Sequence, residues 1–332
     1  MSNEDSMIVS VYARTDAGRA RPRNEDSFMV SNLSTAECWT PYTAPANLTS
    51  FDQGRCGSLL AVSDGLGGSP AGDIAGRLAV ECVREHMLEL QAGPPGSTST
   101  FPEQLRSAIE ITNMRIYRQS QGHAALAGMG ATLTVAGLHG ATAYIAQIGD
   151  SRAYIVRRGQ LRQITHDQSV AGMLLETGCI TAAQARNHPY RNVLLQAVGI
   201  APRVEPVMTR LPLLPADILV LCSDGLSNEL DSEDLRRSIS QSSSLKAACE
   251  SLISLAAAKG EEDDITVLIA QVTGRWAESE LAPPHTQSGM GIVDPAPHSA
   301  TFIDTRECLQ GQPMGVTSLP SISASHAKES KS

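Results

Sequence analysis

The chain has 332 residues, of which 42% are apolar, and it carries a formal net charge of −9. This length allows one sizeable core or two small ones. The acidic balance argues against nucleic acid as a partner, because phosphate backbones are held by clustered Lys and Arg. Its seven cysteines are scattered without a C-x-x-C pair, which is typical of reduced thiols in the cytoplasm. We find no signal peptide and no apolar run of ~20 residues, so we expect no membrane attachment.

The first part of the chain predicts strands around a charged loop, followed by two helices. In chain order we expect two short strands within 8–31 around a loop at 16–26, a hairpin excursion at 33–57, a strand at 58–63, and helices at 71–90 and 102–119. The two helices follow from apolar residues at helical spacing. A Gly- and Pro-rich stretch separates them.

The second part of the chain predicts an antiparallel meander and then a mixed region. The expected elements are strands at 131–136, 142–148, 153–156 and 161–164, two short helices within 167–190, strands near 193–198, 204–210 and 217–222, helices at 232–240 and 245–258, and a strand at 265–272. Because strands and helices come in blocks, the pattern favours an α+β fold over a Rossmann fold. The region after Gly274 lacks an apolar period, which favours a disordered tail over a small second domain.

Three short acidic turns lie next to apolar strands. Asp64 and Asp224 directly follow such strands, and Asp263 precedes the last one. A buried carboxylate without a partner is costly, so Asp224 and Asp263 must each pair with an Arg or bind a cation. Carboxylates from distant parts of a chain are the ligands that Mg²⁺ and Mn²⁺ favour. The three turns therefore indicate metal-assisted chemistry on phosphate. Pairing to an Arg is the alternative for Asp224 and Asp263, and an ordinary strand-to-helix turn is the alternative for Asp64.

Two further segments carry groups suited to phosphate and metal. The loop at 16–26 contains Arg21, whose guanidinium fork matches phosphate oxygens, and the carboxylates Glu25 and Asp26, which could hold metal-bound waters. A solvated charged turn is the alternative interpretation of this loop. Asp150 lies in the sequence Gly-Asp-Ser-Arg directly after a predicted strand, where an ordinary hairpin turn is the alternative.

The order of these motifs resembles that of the PP2C-type metal-dependent serine/threonine protein phosphatases (the PPM family), and especially their bacterial branch. The resemblance covers residues 8–273. The motifs that carry it are Thr-Asp-x-Gly…Arg…Asn-Glu-Asp at 15–26, Asp-Gly-x-Gly-Gly at 64–68, Gly-Ala-Thr at 130–132, Gly-Asp-Ser-Arg at 149–152, Thr-x-Asp-x-Ser at 165–169, Gly-x-Ile-Thr…His-Pro…Asn at 178–192, Ser-Asp-Gly-Leu at 223–226, and Asp263 before Ile-Thr at 265–266.

The resemblance implies a fold and a domain organisation. The fold is an α+β, four-layer α/β/β/α sandwich in which two mostly antiparallel sheets are flanked by helix pairs. The phosphatase domain would span residues 1–273, with a mobile flap at about 166–192 beside the metal cleft. Residues 274–332 would remain as a C-terminal tail.

The resemblance also implies a metal site. Asp64 would bridge two Mn²⁺ or Mg²⁺ ions, Asp224 and Asp263 would complete one ion, and the carbonyl group of Gly65 would touch the other. Asp150 matches the ligand of a third, weaker ion. Hydroxide bridging the two core ions would attack phosphorus in line with the departing seryl or threonyl oxygen.

The remaining implied roles concern substrate and partners. Glu25 and Asp26 would orient metal-bound waters, and Arg21 would grip the phosphate. The partners would be phosphorylated proteins and a cognate bacterial Ser/Thr kinase, and the enzyme would be a cytoplasmic monomer that binds neither membrane nor nucleic acid. One alternative is a phosphatase dedicated to a single regulatory phosphoprotein of the anti-sigma-antagonist type. A phosphoprotein-binding pseudophosphatase is disfavoured, because degenerate relatives lose their metal carboxylates and this chain keeps its own.

Three positions depart from the family pattern. Leu66 stands where many eukaryotic relatives have a histidine that is thought to protonate the leaving group. Gln168 replaces a histidine common in the bacterial flap. Asp264 replaces the usual asparagine after the last metal-binding Asp, and we expect the added carboxylate to strengthen cation binding.

Overall fold

The computed structural model describes most of the predicted phosphatase domain. The described residues are 7–19, 23–45, 47, 49–66, 71–92 and 99–274. Arg21 and the predicted tail beyond residue 274 lie outside these ranges. Among the described residues, no helix combines the length and the apolar character that crossing a membrane requires.

The described ranges contain fourteen strands and seven α-helices. The strands are β1 (Met7–Asp16), β2 (Ser27–Asn32), β3 (Cys38–Trp39), β4 (Thr49–Asp52), β5 (Ser58–Ser63), β6 (Gly65–Leu66), β7 (Gly130–Ala131), β8 (Leu133–His139), β9 (Thr142–Ile148), β10 (Arg152–Arg157), β11 (Gln160–Gln163), β12 (Val207–Pro212), β13 (Ile218–Cys222) and β14 (Ile265–Gly274). The helices are α1 (Ala71–Gln91), α2 (Phe101–Gly122), α3 (Val170–Glu176), α4 (Ala182–Arg186), α5 (Asp224–Ser227), α6 (Ser232–Gln241) and α7 (Leu245–Lys259).

Two six-stranded antiparallel sheets form the centre of the fold. The first sheet has the strand order β11-β10-β13-β14-β1-β4, and the second has the order β12-β9-β8-β5-β2-β3. A separate two-stranded ribbon of β6 and β7 continues from the end of β5. The long pairing of β1 with β14, from Met7 opposite Gly274 to Asp16 opposite Ile265, joins the two ends of the described chain.

Alternation of side chains along each strand builds the layers. In β5, Leu59 and Ala61 pack with the apolar faces of α1 and α2, whereas Leu60 and Val62 pack between the two sheets. In β14, Val267 and Ile269 pack with α6 and α7, and the intervening residues face the other sheet. Central strands are therefore buried on both faces, which explains their continuous apolar runs. The predicted four-layer sandwich with flanking helices is confirmed.

The structure differs from the predicted elements in three places. Residues 33–57 form no single hairpin, because β3 pairs with β2 in one sheet and β4 pairs with β1 in the other. The strand predicted near 193–198 is wrong: only isolated bridges occur there, and the apolar side chains of Val193 and Leu195 are exposed instead of buried. The short helix α5, which begins at Asp224, was not predicted.

Candidate active site

Asp64 lies where β5 leaves the second sheet, and Thr132 holds its backbone. The N–H of Asp64 donates to the Thr132 hydroxyl at 2.9 Å, and the N–H of Thr132 donates to the Asp64 carbonyl at 2.8 Å. The same hydroxyl is 2.6 Å from that of Ser151, next to Asp150. A continuous chain of hydrogen bonds therefore joins the two turns that carry Asp64 and Asp150.

Gly65 lies in a space that excludes a side chain. A Cβ atom there would collide with the backbone carbonyl of Gly72 in α1 and approach the carbonyl of Glu25 at 2.8 Å. The N–H of Gly65 donates to that Glu25 carbonyl at 3.2 Å. Glu25 itself is buried, and its carboxylate lies against Gly72 in the first turn of α1, where the helix dipole favours negative charge.

Ser223 connects Asp26 with the beginning of α5. Its hydroxyl donates to the Asp26 carboxylate at 2.6 Å and accepts from the N–H of Thr266 at 2.9 Å. The next residue, Asp224, has one oxygen, Oδ2, that accepts from the side chain of Asn228 at 3.1 Å. Its other oxygen, Oδ1, is buried and has no hydrogen-bond partner among the described residues.

Asp263 and Asp264 have different surroundings although they are neighbours in sequence. Asp264 is buried, and its two oxygens accept from the backbone N–H groups of Gly18 and Glu25 at 2.8 and 2.7 Å. Asp263 is partly exposed, and its Oδ1 accepts from the N–H of Asp264 at 2.9 Å. Both oxygens of Asp264 bind the backbone of the 16–26 loop, so this carboxylate positions that loop. The structure gives no support to the expectation that it strengthens cation binding.

Carboxylates crowd this edge of the sandwich and raise one another's pKa. Burial is the main cause of the raised pKa of Asp64, although the residue is partly exposed, and the charges of Asp26, Asp224, Asp150 and Asp263 add to it. Burial likewise raises the pKa of Asp26, whose hydrogen bonds from Ser223 and Thr266 oppose the shift.

Asp224 and Asp150 share this environment. Burial and then the charge of Asp263 raise the pKa of Asp224, and side-chain interactions with Asp64 and Asn228 oppose the shift. Burial and then the charge of Asp224 raise the pKa of Asp150. Like charges held this close disfavour the ionised forms of the carboxyl groups, which marks a position where a cation would be favoured.

The donor set fits a hard divalent cation. Two features of the site call for a positive partner. Oδ1 of Asp224 is buried and unpaired, and like charges cluster around Asp64. Within the described ranges, no three His, Cys, Asp or Glu side chains already converge at ligand distance. Further ligand oxygens would therefore have to move inward around a bound ion.

A cleft of about 350 Å³ opens beside this cluster. It is lined by Arg191 and Asn192 from the flap on one side and by Asn228 and Asp263 on the other, together with acidic residues of the 260–262 turn. The predicted flap region therefore borders the acidic cluster. It contains the short helices α3 and α4, as expected from the sequence.

The structure brings most of the predicted site residues together. Charge interactions link Asp26, Asp64, Asp150, Asp224 and Asp263, and the backbone of Glu25 contacts Gly65. Arg21 lies outside the described residues, so its role stays a prediction.

Several residues that build the site were not singled out from the sequence. Thr132 and Ser223 lie inside motifs that the sequence analysis quoted, so the sequence could have marked them as site residues. Their hydrogen bonds could not be predicted from those motifs. Asn228 lies four residues after Asp224, and no motif marked it. Its contact depends on the turn of α5, which sequence patterns did not predict.

Comparison with known proteins agrees with this geometry. A family model described as protein phosphatase 2C matches residues 48–278. The serine/threonine phosphatase stp of Listeria welshimeri is 33% identical over 258 residues, which cover 78% of this chain and 94% of that protein.

Two solved structures extend the comparison. The crystal structure of the serine/threonine phosphatase Stp1 from Staphylococcus aureus has a TM-score of 0.68 and 28% identity, and covers 80% of this chain and 95% of that one. The catalytic domain of the serine/threonine protein phosphatase PstP, solved in complex with two manganese ions, has a TM-score of 0.64 and 30% identity over 80% of this chain and 99% of that one. The chain therefore belongs to the protein phosphatase 2C family.

Proposed function

We propose that the chain removes phosphate from seryl and threonyl side chains of proteins at the acidic cluster around Asp64, and that it opposes a Ser/Thr kinase. Membership of the family makes it a metal-dependent serine/threonine protein phosphatase. The observation that carries the assignment of the site is the crowding of Asp64, Asp224 and Asp263 at one sheet edge, with an oxygen of Asp224 unpaired.

The proposed roles follow from how each side chain is held. Asp64, Asp224 and Asp263 would hold two Mn²⁺ or Mg²⁺ ions, with the Gly65 carbonyl as a further ligand, and Asp150 would hold a third, weaker ion. Bound cations of this kind lower the pKa of coordinated water and neutralise phosphoryl oxygens. Asp26, fixed by the Ser223 hydroxyl, and Glu25, fixed through its backbone by Asp264, would orient water molecules at the site.

Substrate phosphate needs a positive group of the protein. Arg21 is proposed for this role, because a guanidinium fork matches two phosphoryl oxygens. The flap at 166–192 would face the polypeptide around the phosphorylated residue, since Arg191 and Asn192 line the cleft beside Asp263.

The setting of the enzyme is part of the proposal. Within the described ranges, all six cysteines are free thiols, as expected in a reducing compartment, which supports the proposed cytoplasmic location, where the enzyme would act as a monomer. A dedicated phosphatase of one regulatory phosphoprotein would use the same site. A pseudophosphatase would bind phosphoprotein without turnover, so a turnover assay separates it from both.

The test is hydrolysis of a phosphothreonine peptide with added Mn²⁺ by the full chain and two variants. We expect turnover that disappears in EDTA, and losses of at least about a hundredfold in Asp64→Asn and Asp224→Asn. Asp231→Asn is the matched control, because Asp231 caps α6 away from the cluster and Asn caps helices equally well. Full turnover in EDTA, or in the two site variants, would overturn the proposed mechanism.

A further inference from the structure

The turn that carries Asp150 is bonded on both sides to the first residues of the flap. On one side, the Gln168 side chain accepts from the N–H of Gly149 at 2.8 Å, and the Gln168 N–H donates to the Gly149 carbonyl at 3.1 Å. On the other side, the guanidinium of Arg152 forms a two-pronged ion pair with Asp167, at 2.8 and 2.5 Å. Gly149 and Arg152, which flank Asp150 and Ser151, thus bind Gln168 and Asp167, two consecutive residues of the flap.

These contacts lie in partly buried surroundings, where they restrain the turn. The side chains of Arg152 and Asp167 are 22% and 18% exposed, so water competes with their ion pair less than at an open surface. Gly149 has a φ of +93°, and a Cβ there would approach the side chain of Thr132 to 2.8 Å. The turn therefore has little freedom to move unless its partners in the flap move with it.

The same residues also close the base of the flap. The Gln168 carbonyl accepts from the N–H of Leu195 at 2.8 Å, and the N–H of Val170 donates to the Val193 carbonyl at 2.9 Å. The chain entering the flap and the chain leaving it are thus paired next to Gly149. A displacement of the flap at its base would act directly on the Gly149 bonds.

Arg152 extends the network to the opposite side of the cleft. Its Nη1 donates to the carbonyl of Ser227 at 3.3 Å, and Ser227 ends the short helix that begins with Asp224. One guanidinium therefore contacts both the flap base, through Asp167, and the helix that carries a proposed core ligand.

We propose that Asp167 and Gln168 are positioning residues that couple the placement of the flap to the placement of Asp150, and hence to cation occupancy at Asp150. The inference rests on the proposed role of Asp150 as a cation ligand. Coupling between two sites is reciprocal. A cation at Asp150 therefore holds the flap base closed, and loosening of the flap base weakens cation binding there.

The experiment compares two Gln→Ala variants of the full chain by Mn²⁺ titration calorimetry and by amide hydrogen exchange. Gln168→Ala removes the acceptor of the Gly149 N–H. The matched control is Gln184→Ala, because Gln184 also lies in the flap but caps only its own helix, α4, through Thr181. Asp167→Asn serves as a second test variant that keeps the side-chain shape while weakening the ion pair with Arg152.

We expect Gln168→Ala to weaken the weakest Mn²⁺-binding step by about tenfold and to leave the tighter steps unchanged, a size within the usual range of coupling. Exchange at the Gly149 amide should accelerate in EDTA, and the protection of the flap by Mn²⁺ should decrease. Asp167→Asn should shift both measurements in the same direction, and Gln184→Ala should match the unmodified chain.

Asp150→Ala separates failure of this inference from failure of the proposed function. If Asp150→Ala removes the weakest Mn²⁺ step while Gln168→Ala and Asp167→Asn bind like Gln184→Ala, the coupling is refuted and the ligand role stands. If Asp150→Ala itself binds Mn²⁺ like the unmodified chain, the ligand role of Asp150 fails, and the coupling fails with it.

Discussion

The carboxylate of Asp264 accepts a hydrogen bond of 2.7 Å from the backbone N–H of Glu25, which lies 239 positions earlier in the chain. Its other oxygen accepts from the N–H of Gly18 at 2.8 Å. A Cβ on Gly18 would collide with the backbone of Glu262 and Asp263, so the loop rests directly on this segment. Asp264 thereby places the Glu25–Asp26 pair against the acidic cluster.

Asp264→Asn should loosen this loop. An amide offers one acceptor oxygen, and its NH₂ group would face one of the two backbone N–H donors, leaving that donor without an acceptor. The free energy of unfolding should fall by about 1–3 kcal/mol, and kcat should fall with it. Urea denaturation and phosphopeptide turnover measure the two effects, with Asp231→Asn as control. Unchanged stability would show that Asp264 does not hold the loop.

The raised pKa values of the carboxyl cluster predict a pH-dependent stability of the metal-free protein. Burial and neighbouring carboxylates raise the pKa of Asp64 well above its usual value. Between the unfolded-state pKa of about 4 and the higher folded-state pKa, the native state binds more protons than the unfolded state. The free energy of unfolding therefore falls as pH rises through this window.

Asp64→Asn removes one charge from the cluster, so in EDTA at about pH 8 its Tm should exceed that of the unmodified chain. A gain of 1 kcal/mol corresponds to roughly 2–4 °C in a domain of this size. The difference should disappear toward about pH 4. Added Mn²⁺ should reverse the order, because binding to the native state stabilises only the chain with intact ligands. A lower Tm of the variant in EDTA at pH 8 would contradict this account.

Asp217 offers a variant that should lower stability without altering the chemistry. Its buried carboxylate pairs with Arg157 at 2.6 and 2.9 Å and accepts from the N–H of Leu214 at 2.7 Å. Asp217→Asn should cost about 2–4 kcal/mol, because it leaves the guanidinium without its ionic partner. Denaturant unfolding should show this loss, and kcat below the transition should stay unchanged. A large loss of kcat would place Asp217 in contact with the site.

Arg21→Ala should weaken turnover of phosphate monoesters. The loss of a charged phosphate contact typically costs about 1.5–3 kcal/mol, so kcat/KM should fall by about ten- to a hundredfold. The comparison is with Arg14→Ala, whose guanidinium pairs with Asp16 on β1. Kinetics of Arg21→Ala equal to those of Arg14→Ala would remove Arg21 from the proposed phosphate site.

Removal of residues 275–332 should preserve turnover of a small aryl phosphate. Every proposed ligand lies before Gly274, and β14 ends at that residue after completing its pairing with β1. Steady-state kinetics and thermal unfolding of the shortened chain provide the test. Insoluble or inactive product would show that the removed segment contributes to the domain.

The sequence alone determined the chemical inventory and most of the framework. Continuous apolar runs at 58–63 and 218–222 marked strands buried on both faces, and helical spacing marked α1 and α2, because side-chain burial imposes those periods on the sequence. The turns with Asp64, Asp224 and Asp263 follow or precede such strands, so the sequence also predicted that these turns lie at the ends of strands.

Only the tertiary structure decided which acidic side chain does what. Asp263 and Asp264 are adjacent and chemically identical, yet one faces the cluster while both oxygens of the other bind Gly18 and Glu25. Likewise, the bonds of Gln168 to Gly149 depend on where the flap returns to the sheet edge. The burial of a strand or helix and the spacing of its apolar residues are properties of short segments, so a sequence pattern can predict them. A hydrogen-bond partner hundreds of residues away is selected by the packing of the whole fold, so no local sequence pattern predicts it.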